Sequence, residues 1–210
     1  MLSRLLLYTT ILFFQASIIQ AQSTIAREWL NGQTQIFKTT GREKAKGLDA
    51  LIKLPISYQF NEGERPNIVG KFSFDEEPDA PLIMILIKRN ADYIGIEDEV
   101  TAKDLADISA DEMVGKTLVL SSEDNIHIDG LKVFAIEILN TRFASTNLVN
   151  SDLQLLMSSY NLFWNDYMIS VQFAFAQLEI NETRLVERLK AYKPLMTAIM
   201  NTLVITSKWK

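Results

Sequence analysis

Ile126-His127-Ile128-Asp129-Gly130-Leu131-Lys132-Val133 sets two alternating apolar runs on either side of an Asp-Gly pair. Asp-Gly accepts the positive φ angles of a type I′ turn, whose twist matches that of paired strands, so the stretch reads as a β-hairpin. A hairpin commits its sheet to antiparallel pairing. The pattern recurs downstream, where Leu153–Trp164 and Tyr167–Ala176 flank Asn165-Asp166, a second pair suited to a tight turn. Both flanks are rich in aromatic and β-branched residues, as strands are. Leu153–Met157 fits the opening of a helix as well as that of a strand.

Upstream the apolar period is also two. Leu48, Ala50, Ile52 and Leu54 alternate with polar residues until Pro55 stops the run, and Ile68, Gly70, Phe72 and Phe74 repeat the pattern. Leu82–Ile87 places six apolar residues in a row, the mark of a strand covered on both faces. Leu118–Ser122 is a further strand. Thr101–Val114 reads as a helix: Thr101 and Asp104 resemble a capping box, Glu97-Asp98-Glu99 suits a helix N-terminus, and Gly115 is a C-terminal stop. Its apolar stripe is Leu105, Ile108 and Met113. The last element is a long amphipathic helix with Asn181 as N-cap. Leu185, Leu189, Tyr192, Met196, Ile199 and Leu203 form its inner face, and Arg184, Glu187, Arg188 and Lys190 its solvated one. Pro194 predicts a kink or a fresh start there. Strands, a helix, more strands and a closing helix make an α+β fold, an antiparallel β-sheet flanked by helices.

The N-terminus carries a different signal. Arg4, a predominantly apolar Leu5–Ile19, and Ala21 before Gln22-Ser23-Thr24 have the layout of a secretory signal peptide over 1–21. The apolar part falls short of the roughly 20 residues that span a bilayer. The small-x-small cleavage pattern is incomplete, because Ile19 stands three residues before the cut, and an uncleaved anchor is the alternative. No cysteine follows, so a bacterial lipoprotein anchor is excluded. The expected product is exported, periplasmic or secreted, with no stable membrane insertion after cleavage. Residues 22–47 read as a polar lead-in with a short helix around 26–37, weakened by Gly32, and a flexible basic connection from Thr39 to Gly47. Residues 48–210 form a single domain.

Export constrains chemistry. With no cysteine, the fold has no disulfides, thiolate nucleophiles, cysteine-bound zinc or iron–sulfur clusters. Loss of Arg4 takes the formal net charge from −5 to −6, which offers nucleic acid no basic footprint. The sequon Asn181-Glu182-Thr183 matters only on a eukaryotic secretory route, and a bacterial one is the reading taken.

"LIKLP" (51–55), "PLIMILIK" (81–88), the mid-chain helix, "IHIDGLKVFAIEI" (126–138), "YNLFWNDYMISVQFAFA" (160–176) and "RLVERLKAYKPLMTAIMNTLVI" (184–205) follow one another in an order that resembles the PsbP-like fold. That fold is shared by the extrinsic photosystem II subunit, the eukaryotic Ran-binding Mog-type protein and small bacterial envelope proteins. The resemblance spans residues 48–207. It implies a compact αβα sandwich, usually non-enzymatic, that acts by binding a protein partner, here another envelope protein. No segment matches a metal- or partner-binding motif of the photosynthetic members, so photosystem and Ran functions are not carried over.

Catalytic signatures are missing. His127, the chain's single histidine, could act as a proton acceptor near neutrality, but no motif supplies an orienting partner and it reads as a solvent-facing strand residue. There is no G-x-S-x-G elbow, P-loop or dinucleotide glycine pattern, and no cofactor is implied. Asp75, Glu76, Glu77 and Asp79 could hold calcium weakly, yet their spacing is not that of a calcium loop and a solvated loop explains them. Tyr160, Phe163, Trp164, Tyr167, Phe173 and Phe175 surround the late hairpin. Alternation places half of them in the core, and Trp164, with Tyr160 and Tyr167, is the candidate partner contact. Three readings follow. A flat exposed aromatic patch favours a protein-binding module of the envelope. An apolar pocket of a few hundred Å³ favours a small-molecule or lipid carrier. Two convergent carboxylates with shifted acidities favour a hydrolase.

Overall fold

Both tight turns form. In the computed structural model, which describes residues 23–142, 152–178 and 180–209, Asp129 and Gly130 take φ of 52° and 75°, and Asn165 takes 52°. The leader expected over 1–21 lies outside the described residues. The first turn joins β6 (Lys116–Ile128) to β7 (Leu131–Arg142), and the second joins β8 (Leu153–Trp164) to β9 (Tyr167–Gln177). Leu153–Met157 is therefore strand. These four strands, with β3 (Gln59–Asn61), β4 (Ile68–Ser73) and β5 (Leu82–Arg89), make a seven-stranded sheet in the order β3-β4-β5-β9-β8-β7-β6. Every neighbouring pair is antiparallel. β6 runs much further than Leu118–Ser122, because two register shifts, at 119/121 and 123/126, absorb its polar middle without ending the pairing.

One face of this sheet carries the main core. Ile83, Ile85 and Ile87 of β5 and Val171, Phe173 and Phe175 of β9 point into it, all almost fully buried. Leu82, Met84 and Leu86, on the other face of β5, are only half-buried, so cover on that side is incomplete. Over the main core lie α1 (Thr24–Leu30), a two-stranded sheet of β1 (Thr34–Lys38) and β2 (Leu51–Pro55), and α3 (Glu182–Met200). The helix expected over 26–37 thus stops at Leu30. Gly32 takes a φ of 71°, which ends it, and Thr34–Lys38 pairs with Leu51–Pro55 because β2 needed a partner for its backbone. Residues before 48 are part of the packing: Ile25, Phe37 and Ala45 belong to the main core. Gly70 makes room for this layer, since a Cβ there would lie 2.9 Å from both Phe37 Cζ and Phe72 Cε2. The Thr39–Gly47 connection is also held. Thr39 is buried with its hydroxyl on Leu48 O (2.7 Å), and the Arg42 guanidinium lies over Phe37 and Phe60, 4.6 and 4.5 Å from their centroids.

The opposite face carries α2 (Ala102–Asp111), so helices flank the sheet on both sides and the αβα arrangement is complete. The capping box forms in full: Thr101 Oγ1 accepts from Asp104 N, and the Asp104 carboxylate accepts from Thr101 N (2.9 Å). The helix buries Ala102 and Ala106 against Phe134, Ile136, Ile138 and Phe163, whereas Ile108, assigned to the inner stripe, is 54% exposed. Alanines let the helix approach the sheet closely, and the larger Leu105 and Met113 fill the flanks.

α3 begins as read, with Asn181 Oδ1 accepting from Arg184 N (3.1 Å). It runs through Pro194 as one helix. Proline has no N–H for the Lys190 carbonyl, but Pro194 lies on the exposed side, where water can take that acceptor. Leu185, Leu189, Met196 and Ile199 are buried, each contributing about 1.5–3 kcal/mol by leaving water. Beyond the helix, Val204 bridges Leu51 and extends the small sheet, and Asp129 accepts from Ile205 N (3.2 Å).

Candidate functional site

A groove of about 880 Å³ lies between α1, the 75–79 loop and α3. Its floor is apolar, from Ala26, Trp29 and Leu30 on α1 and Leu195 and Ala198 on α3. Ile25 is fully buried in the main core with Trp29 packed against it, while Leu30 is 68% exposed at the groove's edge. Two polar clusters fix the walls in place. Glu77 accepts from Thr24 N (2.9 Å) and from the Tyr192 hydroxyl, so one carboxylate ties the first turn of α1 to the middle of α3. Burial, and then the bond to Glu77, raise the pKa of the Tyr192 phenol well above its ordinary value and keep it a donor.

Arg188 is the second cluster. Its guanidinium donates to Asp79 O (3.2 Å), Pro78 O (3.0 Å) and Ala176 O (3.3 Å), and pairs with the Asp79 carboxylate at 3.2 Å. It also sits 5.3 Å from the centroid of Phe175. Burial pushes the guanidinium below its usual value, and Asp79 opposes that shift. Arg188, assigned to the solvated face, is therefore buried. Its fork matches three carbonyls where the loop folds back on the helix. Asp79 also meets Arg184 at 3.5 Å. The acidic run is consequently more than a solvated loop, since two of its four members brace α1 and α3. Among the described residues, no group of three or more His, Asp and Glu is placed to hold a metal ion.

The late hairpin is arranged otherwise. Tyr160 and Tyr167 are buried, at 5% and 8% exposure, and both rings belong to the main core. Tyr167 donates to Lys46 O (2.8 Å) and stacks on Trp164, with centroids 6.1 Å apart. Trp164 is half-buried at the turn. No flat aromatic patch results, because strand alternation sends both tyrosines inward. His127 is exposed on β6, with Lys132 as its cross-strand neighbour.

A smaller cleft of about 170 Å³ separates the sheet from the C-terminal half of α3. Glu123, Glu137 and Lys193 line it, and Lys193 donates to Glu137 at 2.8 Å. That bond, more than any other influence, raises the lysine's affinity for its proton.

The groove escaped the sequence reading because its halves are about 160 residues apart along the chain. Arg188 had a local signal. It falls three residues after Leu185 and four before Tyr192, on the buried side of the helical period.

No protein-family model matches the chain, and no curated protein matches it. Solved structures do. The Ran-binding protein Mog1p of Saccharomyces cerevisiae superposes with a TM-score of 0.54 at 10% identity, over 82% of this chain and 95% of that one. A Pseudomonas aeruginosa protein of unknown function gives 0.39 at 16% identity, over 82% and 96%. LpqN of Mycobacterium tuberculosis, involved in cell envelope biogenesis, gives 0.42 at 10%, over 88% and 98%. The likeness to Mog1p is one of fold, and it supports the Mog1/PsbP-like architecture read from the order of elements. Among the described residues, no helix is long and apolar enough to cross a membrane.

Proposed function

We propose that the chain is an exported, non-catalytic binding module of the cell envelope, and that it takes its ligand in the groove between α1 and α3 rather than on the late hairpin. The observation that carries this reading is an apolar floor within a volume of about 880 Å³, toward the upper end of ligand-site sizes. The floor is built on two helices pinned by Glu77 and Arg188, so the groove is held open before any ligand arrives. Preformed sites of this kind lose little ordering entropy on binding. Two of the four acids around it are engaged in bracing: Glu77 holds Thr24 and Tyr192, and Asp79 holds two arginines. That arrangement suits a scaffold better than a proton-transfer pair.

The fluorescent apolar probe 1-N-phenylnaphthylamine tests the site. The processed chain should enhance its emission, Ala198→Trp should cut that enhancement at least tenfold by filling the floor, and Trp164→Ala should leave it unchanged. Loss in Trp164→Ala with retention in Ala198→Trp would move the site to the hairpin. Export is checked on the same preparation: the mass of the chain recovered outside the cytoplasm should begin at Gln22. The small-molecule or lipid reading stands second; the groove's apolar floor and volume, the marks of such a carrier, favour it too.

A further inference from the structure

We infer that the occupant of this groove is a cationic, amphipathic segment of a partner protein, an inference that rests on the groove being the binding site. The floor alone would accept any apolar group, so the rim must decide. Four acids line the groove, Glu76, Glu77, Asp79 and Glu187, against two cations, Arg184 and Arg188. Arg188 is spoken for, paired with Asp79 and bonded to backbone carbonyls, and the exposed Arg184 faces the same Asp79 at 3.5 Å. Glu77 is held by Tyr192 and Thr24. Glu76 on the loop and Glu187 on α3 are different. Both are exposed, and neither has an ion pair among the described residues. They leave an uncompensated negative charge on the loop side and on the helix side of an apolar floor.

An anionic ligand finds one exposed cation on the groove, Arg184, already facing Asp79 at 3.5 Å, against the two acids that lack an ion pair among the described residues. A fatty-acid carboxylate or an acidic lipid headgroup would meet Glu76 and Glu187 and could engage Arg188 only by breaking its three hydrogen bonds to carbonyls. A helix with an apolar stripe and flanking lysines or arginines meets both requirements, with its stripe on Trp29, Leu30, Leu195 and Ala198 and its cations toward the two acids. Ala26 and Ala198, being small, leave space for a helical backbone to come close.

The test uses two fluorescein-labelled 14-residue peptides with the same leucine stripe, one flanked by lysines and one by glutamates. Fluorescence anisotropy with the processed chain should show the lysine peptide binding at least tenfold more tightly at low salt, with the gap shrinking in high salt. Glu76→Lys with Glu187→Lys should reverse the preference. Ala198→Trp should abolish binding of the lysine peptide, and Leu30→Lys, at an exposed position, provides a block that leaves the fold intact. Equal affinities for the two peptides, both lost in Ala198→Trp, would overturn the charge inference while leaving the groove as the site. Failure of both peptides and of the apolar probe would overturn the groove reading itself. Two other outcomes overturn the partner segment: groove-dependent sedimentation with phosphatidylglycerol vesicles names a membrane, and a dimer in gel filtration that Leu30→Lys dissociates names a second copy.

Discussion

Replacing Arg188 by alanine should destabilise the fold more than a change on a charged helix face ordinarily does. The side chain is 10% exposed and donates three hydrogen bonds to carbonyls at 3.0–3.3 Å. Hydrogen bonds from a charged donor are worth about 1.5–3 kcal/mol each, and breaking a buried ion pair costs about 3–5 kcal/mol. Pro78, Asp79 and Ala176 are themselves exposed, so water can reach their carbonyls once the guanidinium has gone. The net loss is accordingly set at about 2–4 kcal/mol, nearer one such interaction than the sum of three. For a domain of this size that lowers Tm by roughly 4–16 °C. Urea unfolding followed by tryptophan fluorescence measures it directly. Arg188→Met separates packing on Phe175 from hydrogen bonding, and should recover little, because it restores bulk without donors. Arg188→Lys keeps the charge but reaches fewer acceptors, so it should recover less than half. A loss in Arg188→Ala below about 0.5 kcal/mol, the range of ordinary surface changes, would refute the reasoning.

Two further outcomes are expected. Gly70→Ala should cost about 1–3 kcal/mol by pressing a methyl against Phe37 and Phe72, and Phe37→Leu should relieve part of that cost; a neutral Gly70→Ala would mean that the small sheet can shift. Tyr58, Tyr93, Tyr160 and Tyr192 all have phenols raised by burial. A folded value above the unfolded one, about 10, gives stability that is complete below pH ~10 and is lost as pH rises toward the folded values. Absorbance at 295 nm should therefore show these phenolates forming together with loss of near-ultraviolet circular dichroism, and ionisation at ordinary values in an intact fold would contradict their burial.

Elements whose cause is local were legible in the chain. Asp129-Gly130 turns because those two residues tolerate positive φ, Thr101 and Asp104 cap α2 through groups three residues apart, and the apolar period of α3 is internal to that helix. Elements whose cause is a distant partner were misread. Thr34–Lys38 is too short to announce a strand and becomes one by pairing with Leu51–Pro55. Ile108 looked like a core residue and Ala106 did not, yet the sheet receives the smaller side chain because it allows closer approach.

The amino-acid order by itself determined the antiparallel, helix-flanked architecture, because turn chemistry and apolar period act between neighbours and need no knowledge of the rest. Which tyrosines turn inward, why Arg188 leaves water, and where a groove opens were decided only by the tertiary structure. Each depends on a backbone carbonyl, ring or carboxylate that folding brings from more than 100 residues away. Burial is a property of the assembled surroundings, and those surroundings exist only once the layers have closed.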